Sequence, residues 1–199
     1  MSSETTLRLI AFLLIVSIFS ISGYYRRNAD RSDKRVGFEA ENSWLLRLRT
    51  IGALVFYIGM LVYLIYPPLI AWASVPGWPL ALRWIGVALM ATVLPLLIWM
   101  FRSLGTNITP TVKTRAKHEL VVSGPYKYIR HPLYSFGSLF FLGFLLLAGN
   151  WMLTLGGTVA LYALFARTPQ EEDMLVEKFG DEYRDYMKRT GRYLPKLMV

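Results

Sequence analysis

No cysteine occurs anywhere in the chain. That excludes disulfides, thiolate nucleophiles, Cys-ligated zinc and iron–sulfur clusters. Only two histidines are present, which argues against a multi-histidine metal site within one chain, and no metal is expected. No Gly-x-Gly-x-x-Gly follows a strand-like segment and no Walker-type loop occurs, so a soluble nucleotide-binding domain is excluded. Internal repeats and low-complexity tracts are also missing. Lysine and arginine are absent from two connectors, Pro67–Leu80 and Gly149-Asn150.

What is present is apolar surface, in discrete runs. Of 199 residues, 54% are hydrophobic and the mean hydropathy is +0.38. A soluble domain sits near 45–50% apolar. The runs are Leu7–Tyr25, Thr50–Tyr66, Ala81–Phe101, Leu133–Ala148 and Trp151–Ala166. A spanning helix needs about 17–25 such residues, and the first three runs qualify. The last two have 16 residues each, about 24 Å at helical rise. Only Gly149-Asn150 separates them, a turn signal. The expectation is a tight helical hairpin whose ends borrow flanking residues, with a re-entrant pair as the alternative. Tyr24-Tyr25-Arg26-Arg27 reads as an interfacial anchor, so the first run is a helix rather than a cleaved signal. The fold class expected is all-α: a polytopic membrane protein of about five spans. One domain covers 1–199, with a three-helix part at 1–101 and a catalytic and cofactor-binding part at 102–199.

Charge orients this layout. Twenty of the 22 Lys and Arg residues fall between runs one and two, between runs three and four, or after run five. Five spans with the N-terminus outside put all three basic segments in the cytoplasm. The net charge of +9 is then a feature that faces membrane lipids, and no nucleic-acid partner is expected. Pro67-Pro68 stops the second helix, since proline lacks the donor and clashes with the preceding turn. Pro95 is expected to kink the third. The segment 26–49 reads as a charged linker with an amphipathic end. Segment 102–132 is long for a loop in so compact a chain, which points to function. The tail has helical spacing from Pro169 to Met187, with Met174, Leu175, Phe179, Tyr183, Tyr186 and Met187 on one face and Gly191 as the stop.

Candidate chemistry gathers at two places. The first is Gly124-Pro125-Tyr126-Lys127-Tyr128-Ile129-Arg130-His131-Pro132-Leu133-Tyr134, entering the fourth run. Pro132 suits the first helical position, leaving backbone donors that face the loop. His131 there either binds a ligand carboxylate or hydroxyl or simply caps the helix. The second place is Arg167 with Glu171 and Glu172, just past the fifth run. Successive helical residues lie about 100° apart, so one glutamate is expected in a pocket and the other in water. The plainer reading is a solvated first turn in which acids suit the helix dipole. Arg167 and Glu171 are four apart and adjacent if the helix continues across Pro169. Arg167 either grips a substrate carboxylate bidentately or only ends the span.

The pattern His118-x-Leu120-Val121-x-x-Gly124-x-Tyr126-x4-His131-Pro132-x-Tyr134, then two apolar runs, Arg167-x3-Glu171-Glu172, Phe179-Gly180-x-Glu182-Tyr183-x2-Tyr186 and Pro195 resembles the isoprenylcysteine carboxyl methyltransferase family. That family is related to membrane phospholipid methyltransferases and uses S-adenosylmethionine. The resemblance covers about residues 113–199; the first half agrees only in hydropathy. It implies that His118, Leu120, Val121, Gly124, Tyr126, His131, Pro132, Leu133 and Tyr134 hold S-adenosylmethionine, with Glu171 and Glu172 completing the pocket. It implies Arg167 as the catalytic and substrate-binding residue that positions the acceptor's carboxylate, with Arg130 beside the substrate.

The expected activity is methyl transfer to a carboxylate on a lipophilic acceptor such as a prenylcysteine. A sulfonium donor is already activated, so proximity and exclusion of water suffice. A lipid-borne acceptor enters from the bilayer and the cofactor from the cytoplasm. An amine acceptor would have to lose a proton. The alternatives are a phospholipid or amine N-methyltransferase, an NADPH-dependent membrane sterol-type reductase with a similar Arg-His-Pro-x-Tyr element, and a non-catalytic membrane scaffold.

Overall fold

The computed structural model describes residues 2–30, 43–105 and 120–196. Among these, the chain is helical and carries no strand longer than an isolated bridge. The order is α1 (Ser3–Asp30), α2 (Ser43–Ile65), a 3-10 helix (Pro67–Ala73), α3 (Leu80–Leu104), a 3-10 turn (Gly124–Lys127), α4 (Pro132–Ala148), α5 (Trp151–Ala166), α6 (Thr168–Phe179) and α7 (Asp181–Arg189). The all-α membrane architecture is as expected. Among the described residues, three helices are long and apolar enough to cross a membrane alone: Ser3–Asn28, Trp44–Ile65 and Leu80–Leu104. With 17 and 16 residues, α4 and α5 are shorter.

Two expectations change. The segment 26–49 is not all linker, because α1 runs on to Asp30 and α2 starts at Ser43. Hydropathy marks the lipid-facing length, and the arginines beyond it remain helical. The tail is two helices rather than one. Gly180 sits at φ +58° between them, in the left-handed region that glycine enters without a Cβ penalty. Tyr183 and Tyr186 are buried on α7 while Met174, Leu175 and Phe179 are half-buried on α6. The α4–α5 connection is the tight turn expected, with Gly149 at φ +55° and the Asn150 side chain capping α5 at Leu153 N–H. Beyond the turn the two arms face other partners. α4 packs mainly on α3 and α5 mainly on α2.

Small residues permit that packing. A Cβ on Gly86 of α3 would stand 2.4 Å from the Gly143 carbonyl of α4 and 2.7 Å from Leu147 N. A Cβ on Gly52 of α2 would stand 2.7 Å from Ala160 N of α5. Close backbone approach of this kind drives association in lipid, where apolar side chains gain nothing from leaving water. Phe56 of α2 fills the space between the arms, 4.3 Å from the Phe141 ring and 5.6 Å from that of Phe144.

The bundle has two distinct ends. At one, Glu4 of α1 pairs with Arg83 of α3. There Val75 N–H donates to Gly149 C=O (2.8 Å), Asn150 Nδ2 to Ile70 C=O (3.0 Å) and Trp78 Nε1 to Leu146 C=O (2.7 Å). At the other, Tyr25 stacks on Phe101 at 5.1 Å and Trp99 meets Tyr128. That end carries the start of α4, the end of α5, and α6.

Candidate active site

The candidate residues from two distant parts of the sequence converge where α4 begins and α6 begins. His131 is the residue before α4 and Pro132 is its first helical residue. Arg167 stays in αR conformation between α5 and α6, and Glu171 N–H donates to Arg167 C=O at 3.2 Å. A new helix therefore restarts at Arg167, with Pro169 in its first turn, where no donor is needed. Arg167 Nε lies 3.0 Å from Glu171 Oε1. The Tyr134 hydroxyl, one turn into α4, donates to the same carboxylate at 2.7 Å from each oxygen.

Glu172 is the buried member of the pair, 3% exposed. Arg130 Nε donates to its Oε1 at 2.8 Å, His131 Nε2 lies 3.3 Å from that oxygen, and Arg192 reaches Oε2. Burial pushes its carboxyl up, but the hydrogen bonds from Arg192 and Arg130 outweigh this and hold it below the ordinary value. Desolvation lowers the His131 pKa, opposed by Glu172. The ring is thus neutral near pH 7. It stacks on Tyr134 at 5.3 Å between centroids, and Nδ1 stands 3.8 Å from Glu171 Oε2. The expectation that one glutamate meets water is corrected: both carboxylates turn toward the α4 entry, each with its own partners.

The other candidate residues lie as follows. Arg130, expected beside the substrate, turns inward; beyond Glu172 it donates Nη1 to the carbonyls of Met187 (3.2 Å) and Thr190. Gly124 takes φ +60°, and a Cβ there would strike Ser103 Oγ of α3 at 1.8 Å. Tyr126 packs against the core, and its carbonyl accepts from the Tyr186 hydroxyl at 2.6 Å. Burial raises the Tyr126 hydroxyl pKa. Leu120 and Val121 are half-buried, Pro132 is buried and Leu133 is exposed. His118 lies outside the described residues. Gly124 and Tyr126 thus shape the approach against α3 and α7, while His131, Tyr134, Arg167, Glu171 and Glu172 form the cluster.

Sequence reasoning missed Arg192, Tyr193 and Thr168. The Tyr193 hydroxyl donates to Thr168 Oγ1 at 2.7 Å, and the Tyr193 ring meets Phe165 edge-on at 4.7 Å. A lone arginine after Gly191 was the only signal available. The cluster carries three guanidiniums (Arg130, Arg167, Arg192) and two carboxylates. Beside it, α2, α4 and α5 enclose a cleft of about 370 Å³. Its walls include Leu54, Tyr57, Phe141 and Leu164, with Arg49 at one end. Arg49 lies close enough to Tyr134 to bear on it electrostatically.

The sequence pattern of the phospholipid methyltransferase family matches residues 81–182, just over half of the chain. The chain belongs to that family. Among curated proteins it is similar to protein-S-isoprenylcysteine O-methyltransferase of Schizosaccharomyces pombe, 38% identical over 84 residues, covering 42% of this chain and 36% of that protein. The enzyme of the same name from Dictyostelium discoideum is 33% identical over 94 residues, covering 46% and 40%. Protein-S-isoprenylcysteine O-methyltransferase B of Arabidopsis thaliana is 32% identical over 94 residues, covering 46% and 48%. The matched segment spans less than half the length of these relatives. The resemblance to the isoprenylcysteine carboxyl methyltransferases is borne out by these matches.

Proposed function

We propose that this protein transfers a methyl group from S-adenosylmethionine to the carboxylate of a lipophilic acceptor, a prenylated cysteine terminus being the acceptor class named by its relatives. The observation that carries the reading is the convergence of His131, Tyr134, Arg167 and Glu171 on one half-buried site, within a segment similar to those enzymes. The donor set suits such a cofactor. A carboxylate beside a neutral imidazole offers acceptors to an ammonium or to hydroxyls, and both sit behind a helix start rather than in open water.

The cofactor supplies a methyl group on a positively charged sulfonium. Forming a methyl ester at a carboxylate releases no proton, so the chain needs no general base. Its residues have to align the acceptor and exclude water. We assign the first task to Arg167, held in place by Glu171, and the second to the aromatic wall of Tyr134, Phe165 and Tyr193. Among the described residues the cluster holds one more guanidinium than carboxylates, which favours an anionic acceptor. The apolar cleft between α2, α4 and α5 is consistent with an acceptor that arrives from the bilayer. We place the N-terminus outside and the cluster at the cytoplasmic face, with α4 and α5 completing five spans, because the basic segments collect at that end.

A second reading has one observation behind it. The family description names phospholipids, whose amine headgroups must lose a proton before methylation; neutral His131 would then serve as the base.

The test is calorimetric titration of S-adenosylhomocysteine into detergent-purified protein, with Glu171→Ala alongside. Binding to wild type, weakened at least about tenfold by the substitution, supports the cofactor site; a lost charge-assisted hydrogen bond contributes enough for that factor. No binding to folded wild type overturns the reading. Methyl transfer to an S-farnesylcysteine analogue rather than to phosphatidylethanolamine then separates the acceptors.

A further inference from the structure

After α7 the chain returns as a strap across the α4 entry. Gly191 N–H donates to Tyr128 C=O (3.1 Å), Arg130 N–H to Gly191 C=O (2.8 Å) and His131 N–H to Arg192 C=O (3.1 Å). The Tyr193 carbonyl accepts from Ser135 Oγ at 2.6 Å, and its hydroxyl donates to Thr168. These bonds tie the strap to α4 and to the start of α6. The strap's one charged side chain in the cluster is Arg192.

Glu172 accepts from two guanidiniums and is ionised, so it can only accept. His131 Nε2, 3.3 Å away, must therefore carry the proton. In the neutral ring Nδ1 is then a lone pair. It faces Glu171 Oε2, another acceptor, at 3.8 Å. Two acceptors so placed favour a donor seated beside both. Arg130 and His131 share Glu172 Oε1, while Arg192 alone of the three takes Oε2. Arg192 thus fixes the rotation of the carboxylate plane.

We propose that Arg192 is a positioning residue: by holding Glu172 it keeps His131 as the Nε2–H tautomer and presents Nδ1, together with Glu171, to a hydrogen-bond donor of the cofactor, an ammonium or a hydroxyl. The identity of that ligand rests on the methyltransferase reading; the positioning role does not. Among the described residues, the charged and titratable groups around the imidazole are Glu171, Glu172 and Arg167 at the α6 end, Arg130 and Tyr134 at the α4 entry, and Arg192 and Tyr193 on the strap. Arg192 is one of the two cations that oppose protonation of the ring.

The experiment follows the imidazole resonances of detergent-solubilised protein between about pH 5 and 8. A His131→Asn spectrum assigns the signal. In Arg192→Gln the His131 midpoint rises by roughly half a unit to one unit, the lower part of the range for a nearby charge because the arginine is partly exposed. Arg192→Lys keeps the cation and stays near wild type. S-adenosylhomocysteine affinity falls on the acid side as Nδ1 gains a proton, and in Arg192→Gln that fall moves to higher pH with the midpoint. A midpoint unmoved in Arg192→Gln, or moved as far in Arg192→Lys, overturns the proposal. So does an affinity reduced by one factor at every pH, as loss of packing alone would give. Should wild type bind no S-adenosylhomocysteine, the cofactor reading fails, and the imidazole midpoint still decides the positioning role.

Discussion

Glu172→Gln is the sharpest perturbation this structure offers. The substitution keeps volume and removes one buried negative charge. Two guanidiniums lose their anion: Arg130, with an 8% exposed side chain, and Arg192, at 42%. Breaking a buried pair by removing one partner costs about 3–5 kcal/mol. Arg130 keeps the Met187 and Thr190 carbonyls, and water screens Arg192, so about 2–4 kcal/mol is expected. For a chain of this length that lowers the melting temperature by about 5–15 °C. Thermal unfolding in detergent measures it. The loss has a pH signature as well. The native carboxyl pKa lies below the ordinary 4.5, so its stabilisation is present above that value and is lost as pH falls through the native pKa. The gap between wild type and Glu172→Gln should therefore begin to narrow only as pH falls below 4.5, and close as pH passes the lower native pKa. A gap under about 0.5 kcal/mol at neutral pH, within the range of ordinary surface substitutions, would refute the view that Glu172 holds the two segments together.

Three further outcomes are expected. Gly86→Val places atoms against the Gly143 carbonyl and Leu147 N and should destabilise by about 1–3 kcal/mol through overpacking, read as a lower melting temperature with cofactor-site residues untouched. Tyr134→Phe removes the hydroxyl that serves both Glu171 oxygens; S-adenosylhomocysteine binding should weaken by about tenfold, since one hydrogen bond to a charged group is lost. Wild-type stability should fall as pH drops below about 6.5, because the unfolded His131 takes a proton before the native one does; a melting temperature flat from about pH 7 to 5 would contradict the burial argument for that ring.

Much of the bundle was legible because lipid imposes a strong pattern. The ends of α4 and α5 at Ala148 and Ala166 coincide with the ends of apolar runs. The starts and stops that hydropathy misplaced belong to α1 and α2, where helical hydrogen bonding continues past the lipid-facing stretch into arginines. The break at Gly180 was missed because apolar spacing persists across it and a glycine's φ leaves no periodic trace. In the site, Arg167 and Glu171 were readable from a four-residue spacing. Arg192 was not, because backbone pairing with Tyr128–His131, some sixty residues earlier, brings it in.

The adjacent glutamates show how the site separates structure from chemistry. On α6 their side chains leave the axis about 100° apart, yet both find partners at the α4 entry because that entry is wide. Arg130 and His131 lie at its start and Tyr134 one turn further on. Glu172 points to the first pair and to the strap, and is 3% exposed; its two cations keep it charged. Glu171 points to Tyr134 and Arg167, one of them a neutral hydroxyl, and is 13% exposed at its side chain. A carboxylate enclosed by cations has little field left for a ligand, whereas one whose partners include the neutral Tyr134 hydroxyl keeps more acceptor capacity. Exchanging the two roles would require moving a guanidinium across the helix. Substitution at Glu172 should therefore register first in stability, and substitution at Glu171 first in ligand binding. Equal effects of the two on the melting temperature would show that the division does not exist.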